Sequence, residues 1–420
     1  MAPIESLSRI VQLAKKISAS VDDIEEVLVA KGIKSPSFDE GAPFNIPLEL
    51  SPQHDAVLDA TAELHDLLLE PLNLIHRHAG HNNPLCMFAI AEFKLADKVP
   101  PHGEASFEDI AKDTPLTTDM TARLLRHAMT MRIFRETSPG IVAHTGASRA
   151  LHKSAANDWL QAGTAEMWPA AVQTVNALKK WPASEEPNET GYSLAHNTSE
   201  TVYQIFSKDA ERASRWARGM QIFTERPQFN LAYTTDYYNW EALGKAQVVD
   251  VGGSSGHVSL ALARKFSNLS FIVQDMEQMI ANATVPEDVR GRVKFMDHDI
   301  FSPQPVKNAD VYYLRWIMHN WSDKYCKLIL SALLPALKPG ARVIIHESLM
   351  PEPGTRALWK EKNLRATDLN MAGAFNAKER TRVEIEALLK EVDAAFTLRN
   401  TVEPKGSELQ MMEFVWEGTT

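Results

Sequence analysis

The chain has 420 residues, too many for one small core, and this length predicts two domains or one large domain with an appendage. A hydrophobic fraction of 44%, a charged fraction of 23% and a net charge of −10 with interspersed signs fit a soluble globular protein and argue against a nucleic-acid partner, which would favour a basic face. Only Cys86 and Cys326 are present, which excludes a disulfide framework and a CxxC metal site, and no apolar run approaches the roughly 18 residues of a membrane span.

The opening "MAPIESLSRIVQLAKKIS" is amphipathic and lacks the apolar core of a signal peptide, so a cytoplasmic, reducing location is expected. Helical spacing of apolar residues predicts helices over "IESLSRIVQLAKKI" and "HDAVLDATAELHDLLLEPLNLIHRH", with a Pro-rich connector at 34–52. Over 84–150, three helical patches ("PLCMFAIAEFKLADKVP", "SFEDIAKDT", "TTDMTARLLRHAMTMRIFRET") precede "GIVAHTGASRAL", which suits a short hairpin. That order resembles a winged helix. The third patch carries only Arg123 and Arg126 among mostly apolar residues, and the hairpin lacks a basic cluster. A packing or dimerisation module is therefore expected rather than a DNA reader.

From 155 to 243 the pattern is again helical and rich in Trp, Met and Phe. From 246 strands and helices alternate. "AQVVDV", "SFIVQD", "RVKFMD", "ADVYYLRW" and "ARVIIHES" read as buried strands of a parallel sheet covered on both faces. "SDKYCKLILSALLPALK" reads as a helix with Ser322 at its N-cap, and "FTLRNTVEPKGSELQMMEFVWEG" as a hairpin added at the sheet edge. The expected fold class is α/β: a Rossmann-like, doubly wound domain at 156–420 with a C-terminal antiparallel hairpin. A helical, winged-helix-like dimerisation domain at 1–155 precedes it, and 156–243 forms a helical lid over the substrate.

"VVDVGGSSGHVSLALARKF" (248–266) is a strand, a Gly-rich turn and a helix. Gly252, Gly253 and Gly256 suit a close backbone approach to a ligand, but a dinucleotide fingerprint would need glycine at Val251 or His257. Acids stand at successive strand ends instead: Asp250, then Asp275 in "FIVQDMEQ", where ribose hydroxyls can be held, then Asp299 in "MDHDIF". Three acids repel a pyrophosphate and suit a ribose carrying a positive charge. S-adenosylmethionine, with its sulfonium and amino groups, matches better than NAD.

At these residues the chain resembles the plant caffeic-acid-type and fungal small-molecule O-methyltransferases. "VDVGGSSG" is similar to the family's "VDVGGGTG", with Ser254 as the departure. "QDM" (Asp275, Met276) is similar to the ribose-binding acid motif and "DHDIF" (Asp299, Ile300) to the adenine-side motif, while Arg315 stands where the family often has lysine. The resemblance implies S-adenosylmethionine as cofactor, S-adenosylhomocysteine as product and a homodimer; no His/Asp cluster suggests a metal. In "MHNWSD", similar to the family's "LHDWSD", His319 takes the place of the general base, and Asn320, expected to contact the substrate, replaces an aspartate. Glu347 in "IIHESLMP" and Glu379 in "AKERT" take the places of the glutamates that orient the imidazole. A phenol, with a pKa of about 10, needs such a base to attack at neutral pH. Trp316, Met318, Met371, Phe375 and Asn376 beside these motifs, with Met220 and Phe223 on the preceding helical lid, are the expected lining of a flat apolar pocket for an aromatic or polyketide substrate. The expected function is O-methylation of a phenolic or enolic secondary metabolite. The alternative is a methyltransferase-like pericyclase or dehydratase that binds the cofactor without transferring methyl.

Overall fold

The computed structural model describes residues 7–42, 44, 46–281 and 283–419. Residues 4–6 of the first expected helix, and Pro43 and Asn45 of the connector, lie outside the described residues. The chain forms two compact units, one of 1–169, 206–223 and 353–363, the other of 170–205, 224–352 and 364–420. The helical stretch 156–243 is thus shared between them.

In the first unit, helix Arg9–Ala30 packs on helix Ser51–Leu67, and an Arg9–Glu63 fork ties the start of one to the end of the other. The long helix expected over 54–78 is interrupted. Pro71 forces Glu70 into extended backbone (φ −64°, ψ 142°), and the Glu70 carboxylate caps a new helix, Pro71–Ala79, by accepting the Leu72 and Asn73 N–H groups at 3.1 and 3.2 Å.

The winged-helix-like part has helices Asn82–Glu92, Phe107–Ala111 and Thr118–Thr130. Its strands β1 (Glu104–Ser106), β2 (Arg135–Ser138) and β3 (Ile141–Ala143) lie in the order β1-β3-β2. Ile90, Val99, Ile110, Leu125, Phe134 and Val142 fill its core. The hairpin lies earlier than expected. It turns at Pro139–Gly140, where Gly140 adopts φ +88°, and "GASRAL" is a helix capped by the reciprocal Thr145–Ser148 box. Arg126 is committed within the module, forked onto Glu136 at 2.9 and 2.7 Å with its guanidinium 5.0 Å from the Phe107 ring.

Seven strands form the sheet of the second unit among the described residues: β4 (Ala246–Val251), β5 (Leu269–Asp275), β6 (Val293–Asp297), β7 (Val311–Arg315), β8 (Arg342–Glu347), β9 (Phe396–Val402) and β10 (Gln410–Trp416). Their order is β6-β5-β4-β7-β8-β10-β9. The first five are parallel and β10 is antiparallel to both β8 and β9, so the hairpin joins the edge through its second strand. Alternate residues supply the two faces. Val249, Leu314 and Ile345 pack with Ile329, Leu330 and Leu389 of the helices Asp323–Leu333 and Arg382–Val392. Val248, Val273 and Tyr313 pack with Val258 and Leu262 of helix His257–Lys265. This double coverage explains the near-continuous apolar runs. The order of strand addition reverses at β4, whose neighbours β5 and β7 open a crevice at their carboxyl ends. Among the described residues no helix is long and apolar enough to cross a membrane.

Candidate active site

Both halves of the expected site converge at the carboxyl ends of these strands. After β4 the chain turns with Gly252 and Gly256 at φ +72° and Ser254 at φ +49°. Asp250, 3% exposed, accepts the Ser259 hydroxyl at 2.6 Å and so ties the turn to the first turns of helix His257–Lys265. Asp275 Oδ2 accepts the Ser254 N–H at 2.9 Å and Oδ1 accepts the Met276 N–H at 2.8 Å. Burial raises the pKa of both acids, that of Asp250 to about 6, so a cationic ligand would relieve a real desolvation cost. Asp299 is exposed and accepts the Phe301 N–H at 3.1 Å, Ile300 packs at the edge of the core, and Met276 is exposed.

Arg315 ends β7 with its guanidinium 4.3 Å from the Trp316 ring, and its buried Nε lacks a hydrogen-bond partner among the described residues. A buried cationic donor without such a partner, within electrostatic reach of the buried Asp250 that ends the strand before the glycine turn, fits the carboxylate, ammonium and ribose of S-adenosylmethionine. The residues that could hold it are Asp250, Gly252, Gly253, Gly256, Asp275, Asp299 and Arg315.

The strand β7 stops because Trp316 adopts φ +53°, a conformation costly for a bulky residue and held here from both sides. Its N–H donates to the His346 carbonyl at 3.2 Å, and the Asn320 side-chain amide donates to its carbonyl at 3.0 Å. The single turn Met318–Asn320 follows and carries His319. Glu347 Oε1 accepts the Ile317 and Met318 N–H groups at 2.9 and 2.8 Å, satisfying the open donors at the start of that turn.

His319 Nδ1 lies 3.0 Å from Glu379 Oε1. A carboxylate only accepts, so Nδ1 carries the proton and Nε2 is the basic nitrogen. Burial lowers the His319 pKa, but Glu347 and Glu379 outweigh it and raise the pKa above the ordinary histidine value. Burial pushes Glu347 itself up to about 7. The Glu379 N–H in turn donates to Asp368 at 2.9 Å. Of the two glutamates, Glu379 hydrogen-bonds the imidazole, while Glu347 holds the backbone of the turn that carries it. Cradle and base are contiguous, for a Cβ on Gly252 would overlap Ile317 Cδ1, two residues before His319.

Rings line the far side of the turn. Tyr203 lies 6.0 Å from Trp321, nearly parallel, and 5.8 Å from Phe375, and Trp316 meets Phe229 edge-on at 5.0 Å. Met371 and Phe375 are buried. The Met318 side chain sits inside the sheet core with Leu314 and Cys326 rather than in a pocket. The Asn376 amide donates to the Glu186 and Glu189 carbonyls at 3.0 and 3.1 Å and so braces a loop. Met220, half-buried, and Phe223 lie on helix Ala210–Thr224, with Met220 and Phe223 in the first unit; the Phe223 side chain is outside the described set. Ser322 occupies the N-cap position, but its hydroxyl donates to the Glu185 carbonyl instead of capping. His346 is buried against the Tyr313 hydroxyl at 2.5 Å. Sequence reasoning missed Tyr203, Asp368 and Arg380. The run "KERT" that marked Glu379 contains Arg380 and was the available signal.

A strand order with its crevice beside a Gly turn, strand-end acids and a carboxylate-held histidine makes a candidate small-molecule site. The O-methyltransferase domain model matches residues 176–396 and the O-methyltransferase dimerisation domain model residues 76–154. The chain belongs to this family: it is an S-adenosylmethionine-dependent O-methyltransferase. It is 42% identical to the O-methyltransferase PaMT of Phomopsis amygdali, over 98% of this chain and 97% of that protein. Its fold is similar to that of OxaC in complex with SAH and oxaline, at 20% identity and a TM-score of 0.76 over 96% of this chain and 99% of that one. It is also similar in fold to a structure described as a pericyclic reaction enzyme, at 21% identity and a TM-score of 0.73, over 96% of this chain and 100% of that one.

Proposed function

We propose that this enzyme methylates a phenolic or enolic hydroxyl of an aromatic or polyketide secondary metabolite, with His319 as general base. The observation that carries the reading is the Glu379–His319 contact, which leaves Nε2 as the proton acceptor at the end of β7. S-adenosylmethionine, when bound, supplies the electrophilic methyl group. His319 takes the acceptor's proton at Nε2. Glu379 fixes the tautomer and stabilises the imidazolium, and Glu347 keeps the turn from drifting. Asp275 accepts the ribose hydroxyls, Asp250 braces the turn, and the orphaned Arg315 Nε answers the cofactor's carboxylate. Tyr203, Trp321 and Phe375 offer flat apolar faces that suit an aromatic acceptor.

The test is incubation with labelled S-adenosylmethionine and a panel of phenolic polyketides. The expected product is heavier by one methyl, with one S-adenosylhomocysteine per product. A product of unchanged mass without S-adenosylhomocysteine would instead establish the pericyclic or dehydrative alternative.

The enzyme works as a homodimer in the cytoplasm, in keeping with the dimerisation domain and two buried free thiols. Light scattering at micromolar concentration is expected to give twice the 46.9 kDa chain mass, and a monomeric mass defeats the dimer.

A further inference from the structure

Arg380 follows Glu379 directly and is 2% exposed. Its Nη1 donates to the Met318 carbonyl at 2.8 Å, its Nη2 to the Trp321 carbonyl at 2.7 Å, and its Nε to Asp323 Oδ1 at 2.9 Å. Nη1 also approaches the Lys378 carbonyl at 3.4 Å. The Met318 and Trp321 carbonyls bracket His319 and Asn320 in the chain. We propose that Arg380 is a positioning residue for methyl transfer: its guanidinium clamps both ends of the turn that bears His319, fixing the imidazole, and places a buried positive charge beside that ring. The inference rests on the base role given to His319.

Two features support it. A planar guanidinium can reach two carbonyls and a carboxylate at once, which an ammonium on a flexible stem cannot reproduce. The fork therefore fixes direction as well as distance. The electrostatics point the same way. His319 faces Glu347 from β8 and Glu379 from the segment before helix Arg382–Val392, and both favour the protonated ring, whereas Arg380 opposes them. Asp323 and Lys378 lie beyond the guanidinium, 3.2 Å from each other, and Asp368 is tied up by the Glu379 N–H. A buried cation next to the imidazole partly offsets the two carboxylates that favour its protonated form.

The experiment compares wild type, Arg380→Lys, Arg380→Met, His319→Ala and the Arg380→Met/His319→Ala double variant, with kcat, KM and a pH profile for each. Arg380→Met is expected to lower kcat about 10-fold or more with little change in KM for the cofactor. Loss of the charge raises the His319 pKa, so the acidic limb of its profile moves to higher pH. Arg380→Lys keeps the charge, so its limb stays in place while kcat falls for want of the fork. The double variant should be no worse than His319→Ala, because both act through one group.

An unshifted limb in Arg380→Met, or losses that add in the double variant, overturns the proposal and leaves His319 as base. Full activity of His319→Ala overturns both. If Arg380→Met does not fold, Arg380→Lys decides: wild-type kcat removes the clamp, and a reduced kcat on an unshifted limb sustains it.

Discussion

Replacing His319 with alanine is expected to lower kcat by roughly 10²–10⁴ while leaving the fold and cofactor affinity in place. The reason is local. The His319 side chain is 17% exposed, and the hydrogen bonds to the cradle's acids Asp250 and Asp275 come from Ser254, Ser259 and Met276 among the described residues. What disappears is the nitrogen that takes the acceptor's proton. The loss should shrink at high pH, where a phenol with a pKa of about 10 ionises unaided.

The sign of the wild-type profile follows from the same geometry. The His319 pKa is raised, and the neutral ring is the active form, so activity should climb with pH along a limb lying above the ordinary histidine value of 6.5. Glu347→Gln keeps an oxygen for the Ile317 and Met318 N–H groups but removes one of the charges that raise the ring's pKa, so that limb should move to lower pH. Equal turnover by wild type and His319→Ala across pH would withdraw the base assignment without touching the family.

Local pattern made the sheet legible. β4 begins and ends where its apolar run does, and β5 to β8 differ from the expected strands by a residue or two at their ends. Buried parallel strands must be apolar on both faces, which the sequence displays directly. The hairpin at 135–143 was read too late in the chain because "GIVAHTGASRAL" mixes a strand with a capped helix, and Pro139–Gly140 was the better turn signal.

The site was legible only where chemistry sits on strand ends. His319, Glu347 and Glu379 could be picked out by residue type and motif. Which glutamate touches the ring could not, because that depends on where the turn after β7 directs its N–H groups. Met318 illustrates the same limit, since an apolar residue inside a motif does not declare whether it faces the core or the crevice. Arg380 was passed over because its partners are backbone carbonyls some sixty positions away, and carbonyl acceptors leave no mark in a sequence.

The cradle can be tested with neighbouring residues whose expected changes have opposite sign. A Cβ on Gly253 would fall 2.6 Å from Asp250 Cγ, 2.7 Å from Asp250 Oδ2 and 2.7 Å from Val273 Cγ1. None of these can yield cheaply. Asp250 is pinned by the Ser259 hydroxyl, Val273 is fully buried, and the Gly253 N–H is fixed on the Gln274 carbonyl at 2.9 Å. The backbone itself must move, and overpacking of this kind costs about 1–3 kcal/mol of stability. The moved backbone also carries the Ser254 N–H away from Asp275, so the affinity for S-adenosylhomocysteine should fall by about 10² or more, the scale of misplacing groups by about 1 Å. One residue on, Ser254 occupies φ +49°, where a side chain is strained, and Ser254→Gly should therefore stabilise the protein by a few tenths of a kcal/mol to about 1 kcal/mol while keeping the N–H that Asp275 accepts. Isothermal calorimetry with S-adenosylhomocysteine and thermal melts of both variants read the two effects separately. Wild-type affinity in Gly253→Ala would show that the turn does not hold the cofactor.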